Sequence, residues 1–98
     1  MSMYDAFCTL LEEHDELVPL TKDFDPSGDK IAAVLTIEGG EAVEGQEDIL
    51  RSFRRMGVKA MSLTWNNRNE LGNPALKKNR KGLTFLGKEI VREMGRLG

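Results

Sequence analysis

The chain has 98 residues, of which 40% are hydrophobic and 31% are charged, and its formal net charge is −2. This length allows at most one domain with a modest core, and the composition excludes a disordered or membrane-spanning chain. The single cysteine, Cys8, excludes an internal disulfide and fits a reducing compartment, so we expect a cytoplasmic protein.

The two halves of the chain carry opposite charges. Residues 1–50 contain thirteen acidic and two basic residues, whereas residues 51–98 contain three acidic and twelve basic residues. Such a split can indicate a basic arm for nucleic acid or for an acidic partner. The basic residues are scattered over a helix, a loop and a second helix. We therefore favour the interpretation that the acidic and basic halves face each other or face other parts of a larger assembly. We therefore expect no nucleic-acid partner and no membrane contact.

An amphipathic helix is predicted over residues 3–18. Its apolar residues recur at helical spacing, Ser2 and Asp5 have the spacing of a capping box, and Pro19 ends the pattern. The only histidine, His14, lies among four acidic residues of this segment. They can be metal ligands, but we favour a solvated acidic face.

After a predicted turn at residues 23–29, the chain reads as strand, helix and strand. Residues 30–37 are almost wholly apolar and predict one strand that is buried on both faces, as parallel sheets require. Gly39-Gly40 breaks this strand. A helix is predicted from about Gln46 to Met56 and a second strand over residues 58–64. Short connections between these elements predict a parallel βαβ unit.

A long polar loop, residues 65–82, precedes the last predicted helix, which runs from about Thr84 to Gly98. Loops of this length are usually functional or mobile. The predicted order is therefore α-β-α-β-α. Two strands do not form a stable parallel sheet alone, and their edges invite further pairing. We expect a slice of a larger α/β structure, or a chain that completes itself as a homo-oligomer.

A carboxylate and a polar cluster follow the two predicted strands. Glu38 lies beyond the carboxyl end of the first strand, where α/β folds place their ligand sites, and Trp65 and Asn66 follow the second. A carboxylate there can bind a metal, act as a general base or hold a cationic substrate, or it can be an ordinary solvated acid. Trp65 can stack on a substrate or plug the rim. Asn66, like Asn67 and Asn69, can bind a ligand or simply shape the loop.

Three more carboxylates, Glu41, Glu44 and Glu47, recur every three residues after Glu38. This spacing can present several acids together. It also describes a loop that leads into a helix, whose positive N-terminal end favours acidic side chains. We favour the helix start, and we do not count these residues among the candidate ligands.

Three segments follow one another with a distinctive order and spacing: AVLTIEGGEAVEG, MGVKAMSLTWNNRN and KGLTFLGKEIVREMGRLG. They resemble the middle of the membrane (renal-type) dipeptidase family, peptidase family M19, and its bacterial relatives. The similarity covers residues 30–98 well and the N-terminal helix more loosely. It implies a segment of a (β/α)8 TIM-like barrel that is incomplete on its own. Residues 1–98 would then be a single partial α/β domain with about three of the eight βα units.

The resemblance also implies an activity and site residues. The family consists of zinc hydrolases that cleave dipeptides with a water activated by two metal ions. The glutamate of its I/V-E-G-G motif bridges the two zinc ions, which makes Glu38 the predicted metal ligand, with glycines leaving room beside it. Some relatives have a substrate-contacting histidine after Leu-Thr, where this chain has Trp65. Trp65 and Asn66 are the predicted substrate-binding residues.

The family's other metal ligands have no counterpart in this sequence. Its His-x-Asp motif is matched only by His14 and Glu16, on the predicted N-terminal helix, and its later histidines would lie beyond Gly98. Because a catalytic zinc normally has three protein ligands, we expect an inactive fragment with no certain catalytic residue. Two alternatives stay open: a non-catalytic module that associates with itself or with an acidic partner, and an enzyme assembled from several copies.

Overall fold

The computed structural model of the chain describes residues 2–75 and 81–98. Helices and strands follow in the order α1 (Met3–Glu13), β1 (Leu17–Pro19), β2 (Ile31–Ala33), β3 (Leu35–Ile37), a 3-10 helix (Gly40–Val43), α2 (Glu47–Arg55), β4 (Val58–Met61) and α3 (Phe85–Leu97). The class is mixed α/β with short parallel strands, and the chain divides into two compact units, Met1–Leu35 and Thr36–Gly98. Within the described residues, no helix has the length and apolar character to cross a membrane.

The first helix is shorter than its sequence pattern predicts. Ser2 caps it as expected, because its Oγ accepts a hydrogen bond from the Asp5 N–H at 3.1 Å. The helix ends at Glu13, however, and the prediction that it continues to residue 18 is wrong. A proline disfavours the helical conformation of the residue before it, and Pro19 therefore favours extended backbone at Val18. Both residues belong to β1.

The first unit contains a two-stranded parallel sheet. Leu17 of β1 is in register with Ile31 of β2, and Pro19 with Ala33. The turn predicted at residues 23–29 is present: the Asp25 carboxylate accepts hydrogen bonds from the Ser27 hydroxyl at 2.7 Å and the Ser27 N–H at 2.9 Å. Both hydrogen bonds lower the pKa of the Asp25 carboxyl, and the bond from the Ser27 hydroxyl has the larger effect. The turn lies in the connection between β1 and β2, whose parallel pairing requires the chain to cross back to the level at which β1 begins.

The predicted strand over residues 30–37 is wrong as a single element. It breaks at Val34 into β2 and β3, and each half pairs with a different partner, β2 with β1 and β3 with β4. The expected burial on both faces is also wrong, since Ile31 is 59% exposed and Val34 is 44% exposed. The apolar residues of this run favour extended backbone, but hydrogen bonding to a neighbouring strand decides where β2 and β3 each begin and end.

The second unit contains the predicted strand–helix–strand. The Ile37 carbonyl accepts from the Ser62 N–H, and the Leu63 carbonyl accepts from the Gly40 N–H, each at 3.0 Å. Both segments thus advance in the same direction, as a βαβ unit requires. Helix α2 lies within its predicted range and is followed by Gly57 in the left-handed region, at φ 100°. Strand β4 ends at Met61, earlier than the predicted residue 64.

The core of the second unit draws on both helices and on the loop between β4 and α3. Its buried members are Val43, Leu50, Leu71 and Ile90, with Ile49, Phe53, Met61, Leu63, Met94 and Leu97 packed around them. Thr84 begins α3, where its Oγ1 accepts from the Gly87 N–H at 2.9 Å. Leu71 comes from a segment whose polar composition does not predict a core residue.

A buried carboxylate joins α2 to α3. Glu93 is 8% exposed and accepts from Arg51 Nη1 at 3.1 Å and from Arg96 Nε at 2.8 Å. The Arg96 guanidinium, together with that of Arg51, lowers the pKa of Glu93 from about 4.5 to about 2. A buried charge requires such partners, and the two arginines keep Glu93 ionised where the helices meet.

Candidate functional site

Glu38 follows β3 directly, and its side chain is exposed. The next two residues are fixed to the chain that leaves β4. Gly39, at φ 96°, donates its N–H to the Ser62 Oγ at 2.8 Å, and Gly40 donates its N–H to the Leu63 carbonyl at 3.0 Å. We call residues 38–41 the Glu38 turn. Its backbone is therefore anchored at the strand end immediately after the carboxylate.

The two glycines of the turn are required for different reasons, Gly40 by close neighbours and Gly39 by its backbone conformation. A Cβ atom at Gly39 would lie 2.5 Å from Glu41 Oε1, and one at Gly40 would lie 2.5 Å from Leu71 Cδ1 and 2.7 Å from the Leu63 oxygen. The positive φ of Gly39 is itself unfavourable for a residue with a side chain. Gly40 thus makes room for the core residue Leu71, and Gly39 supplies the positive φ that the turn needs.

Asn69 makes four hydrogen bonds with its side chain. Its Nδ2 donates to the Leu63 carbonyl at 2.8 Å and to Glu41 Oε2 at 3.0 Å. Its Oδ1 accepts from the Leu71 N–H at 2.8 Å and from the Gly72 N–H at 3.3 Å. One side chain therefore connects the end of β4, the Glu38 turn and the loop that carries Leu71.

The spacing of Asn69 and Gly72 in the sequence is the signal that distinguishes Asn69 from the other asparagines of this loop. An asparagine followed three residues later by glycine is typical of a tight turn. The structure has this turn, with a backbone bridge between Asn69 and Gly72 and another between Gly72 and Leu83. Part of the predicted 65–82 loop is therefore structured, and residues 76–80 lie outside the described residues.

The acidic residues after Glu38 have separate positions. Glu41 is exposed in the first turn of the 3-10 helix. A hydrogen bond from its own backbone N–H lowers the pKa of its carboxyl most, and the bond from the Asn69 amide lowers it further. Glu44 ends that helix in the left-handed region at φ 51°, and Glu47 lies in the first turn of α2. The predicted helix start is confirmed for Glu47. Glu41 is instead the last residue of the Glu38 turn, where its carboxylate accepts a hydrogen bond from Asn69 Nδ2.

Trp65 and Asn66 border a polar hollow on the surface of the second unit. The hollow is lined by Glu41 and by residues 65–70. Trp65 is 62% exposed and does not plug a core, and Asn66 is exposed as well. Glu38 does not line this hollow. The fold therefore brings Trp65 and Asn66 together with Glu41 and leaves the Glu38 carboxylate outside the hollow.

The described residues do not form a complete metal site. In residues 2–75 and 81–98, no three histidine, cysteine or acidic side chains are grouped so that they could hold an ion. His14 is exposed after α1, with its Nδ1 3.5 Å from Glu16 Oε1. A catalytic zinc requires three protein ligands, and the Glu38 turn offers one exposed carboxylate. The chain alone therefore does not fit a two-zinc centre.

Comparison with known proteins identifies the family. The model of the membrane dipeptidase family (peptidase family M19) matches residues 3–98. The chain belongs to the membrane dipeptidase family. This confirms the resemblance carried by the three segments, and it extends the match over α1. The family is one of metallopeptidases.

Relatives from this dipeptidase family match the chain over most of its length. An uncharacterized dipeptidase of Schizosaccharomyces pombe is 39% identical over 100 residues, covering 100% of this chain. Dipeptidase aclJ of Aspergillus oryzae is 30% identical over 98% of the chain, and dipeptidase 3 of Mus musculus is 35% identical over 70% of it. The chain spans only 24%, 23% and 15% of these three relatives.

Proposed function

We propose that this chain is a segment of a zinc-dependent dipeptidase and that Glu38 is one ligand of its metal centre. The supporting observation is an exposed carboxylate at the end of β3, on a turn anchored at Gly39 and Gly40, in a chain of the dipeptidase family. Trp65 and Asn66, which border the nearby polar hollow, would contact the dipeptide substrate.

We further propose that residues 1–98 form one partial α/β domain with about three of the eight βα units of a (β/α)8 barrel. The parallel pairing of β1 with β2, and the parallel advance of β3 and β4, support this arrangement. Such barrels typically contain about 250 residues, and the relatives are correspondingly longer than this chain. The other strands of the barrel would cover the apolar residues that are exposed in β2 and in the residues next to it.

When bound, a pair of zinc ions supplies an activated water and stabilises the negative charge that develops on the attacked carbonyl. The role of this chain is to hold the Glu38 carboxylate at the strand end. Because the described residues do not assemble three ligands, we propose that the chain alone does not hydrolyse dipeptides. The remaining ligands would come from parts of the enzyme outside this chain.

We also propose that the isolated chain forms homo-oligomers in the cytoplasm. In the described part of the chain each sheet has two strands, and edges of such sheets pair readily with other chains. Phe85 and Ile31 are exposed, and the single free cysteine, Cys8, fits a reducing compartment. Sedimentation velocity at several concentrations would measure the association, and a monomer at every concentration would contradict it.

The first experiment assays the zinc-loaded chain with a simple dipeptide. The wild-type chain and Glu38→Gln are compared with Glu44→Gln, a matched control in which another exposed glutamate of the same loop becomes neutral. We expect no turnover in any of the three. Turnover that disappears only in Glu38→Gln would contradict the inactivity of the chain and indicate a site shared between copies.

The second experiment supplies the missing ligands. Residues 3–98 replace the matched region of the S. pombe relative, and the unmodified relative provides the reference rate. We expect the chimera to keep dipeptide hydrolysis and to lose it by about 100-fold or more with Glu38→Gln, because even residues that merely support a ligand are worth 10–100-fold. Glu44→Gln should leave the rate unchanged. A Glu38→Gln chimera with full activity and zinc content would show that Glu38 is not a ligand.

A further inference from the structure

We propose that Asn69 is a positioning residue that holds the Glu38 turn in place, an inference that rests on the role proposed above for Glu38. The Leu63 carbonyl accepts two hydrogen bonds, one from the Gly40 N–H at 3.0 Å and one from Asn69 Nδ2 at 2.8 Å. The same Nδ2 donates to Glu41 Oε2 at 3.0 Å. Asn69 therefore contacts both the residue that anchors the turn and the last residue of the turn.

The chemistry of the four bonds requires an amide at position 69. Two partners, a carbonyl and a carboxylate, need donors, and the two backbone N–H groups of Leu71 and Gly72 need an acceptor. A carboxamide is a side chain that supplies both at one end, and its partners define which atom is nitrogen. An ionised aspartate would keep the acceptor and lose both donors, and it would place a second negative charge beside Glu41.

The two residues after Asn69 are held by Thr84, the N-cap of α3. Thr84 donates its N–H to the Leu71 carbonyl at 2.9 Å and its Oγ1 to the Glu70 carbonyl at 2.6 Å. Leu71 is fully buried, and its side chain fills the space beside Gly40. The chain immediately after Asn69 is thus bonded to the N-cap of α3 at Glu70 and Leu71, and the Leu71 side chain packs into the core. A metal ligand must be kept within about 0.5 Å of its working position, and such a support satisfies that need.

The test compares Asn69→Asp and Asn69→Ala with Asn73→Ala in the 98-residue chain. Asn73 is a matched control, because its Nδ2 also donates to a backbone carbonyl of the same loop, that of Gly82 at 3.3 Å, and does not contact the Glu38 turn. NMR hydrogen exchange gives the protection factor of the Gly40 amide. We expect a fall of about tenfold or more in both Asn69 variants at neutral pH and no change in Asn73→Ala.

The Asn69→Asp variant separates positioning from loop closure. It keeps the oxygen that accepts from Leu71 and Gly72, so a residue that only closes the loop would leave Gly40 protection unchanged. Below an ordinary aspartate pKa of about 3.9 the protonated side chain can donate again, and we expect Gly40 protection in Asn69→Asp to approach that of the wild-type chain measured at the same pH. Asn69→Ala should not recover at any pH. Unchanged protection in Asn69→Asp at neutral pH would overturn the inference.

One measurement on the wild-type chain needs no substitution and therefore remains decisive if the variants do not fold. The Nδ2 protons of Asn69 should exchange more slowly than those of the exposed Asn67 in the same loop. Equal exchange at the two side chains would overturn the inference, since a side chain that holds the turn keeps its donors occupied.

A zinc titration distinguishes this inference from the role of Glu38. Zn²⁺ is added to the metal-free chimera with the S. pombe relative, which supplies the remaining ligands, and the zinc bound at each concentration is measured. We expect Asn69→Asp to weaken the apparent affinity by about 10–100-fold. A zinc affinity of the chimera that is unchanged in Glu38→Gln would contradict the metal role, whereas Gly40 protection would still decide whether Asn69 holds the turn. Reduced Gly40 protection with unchanged zinc affinity would contradict positioning of Glu38.

Discussion

Leu71 fills the space beside Gly40, so that a Cβ atom at Gly40 would lie 2.5 Å from Leu71 Cδ1. Leu71 is fully buried and belongs to the loop after β4, whereas Gly40 lies two residues after the exposed Glu38. The Gly-Gly sequence after Glu38 is therefore explained in part by packing within this chain. The candidate ligand and the core of the second unit are connected through this contact.

Replacement of Gly40 by alanine should destabilise the chain. The added Cβ would overlap Leu71 and the Leu63 carbonyl oxygen, and overpacking of this kind typically costs about 1–3 kcal/mol. Urea unfolding followed by circular dichroism measures the loss. Gly28→Ala is the control: its Cβ would lie 3.5 Å from the Asp25 oxygen, an ordinary contact, and we expect a change within about 0.5 kcal/mol. Equal stabilities for the two variants would contradict the packing of Leu71 against Gly40.

Two glycines of α3 should respond in opposite directions to alanine. Gly87 is buried, and a Cβ there would overlap the Leu71 carbonyl, so Gly87→Ala should cost about 1–3 kcal/mol or more. Gly95 has open space around it, and alanine is the better helix former by up to about 1 kcal/mol. We expect Gly95→Ala to raise the unfolding midpoint. A Gly87→Ala chain as stable as wild type would show that α3 does not approach Leu71 closely.

The carboxyl group of Glu93 should make stability depend on acid pH. Its pKa is lowered from about 4.5 to about 2, so its ionised form is favoured in the folded chain. The stabilisation is therefore complete above about pH 4.5 and is lost as the pH falls towards 2. In Glu93→Gln this part of the pH dependence should disappear, and at neutral pH the variant should be less stable.

Glu89→Gln is the control for this pH series, because Glu89 pairs with Arg92, which lies on the surface of the same helix. Exposed ion pairs of this kind contribute little. Stability measured by urea unfolding from pH 2 to pH 7 should show a profile like that of wild type for Glu89→Gln. A wild-type profile in Glu93→Gln would exclude the lowered pKa.

Thr84 should matter more than an ordinary helix cap. Its Oγ1 accepts from the Gly87 N–H and donates to the Glu70 carbonyl, so alanine removes two hydrogen bonds. We expect Thr84→Ala to cost about 1–2 kcal/mol and Thr84→Ser, which keeps the hydroxyl, to cost less. Ser2→Ala removes a cap with one side-chain bond and should cost about 0.5–1 kcal/mol. Thermal unfolding orders the three variants, and a Thr84→Ala cost below that of Ser2→Ala would contradict the second bond.

Features that depend on neighbouring residues could be predicted from the sequence alone. The ranges of α2 and α3, the Ser2 cap and the turn at Asp25 follow from periodicity and from side chains that bond to nearby backbone. The family could be predicted as well, since three ordered segments carried the resemblance that the family match confirms. Glu38 was placed correctly at a strand end because a polar residue and two glycines stop an apolar run.

Features that depend on distant partners were decided by the tertiary structure. The run over residues 30–37 prefers extended backbone throughout, but it divides at Val34 because its two halves find different strands to pair with. The spacing of Asn69 and Gly72 indicates a tight turn, but the sequence pattern gives no sign that Asn69 bonds to the Glu38 turn, and no reason to select Glu93 from the acids of α3. Asn69 acquires its role because the end of β4 and the Glu38 turn bring complementary donors and acceptors within reach. Glu93 is held ionised because α2 brings Arg51 against α3.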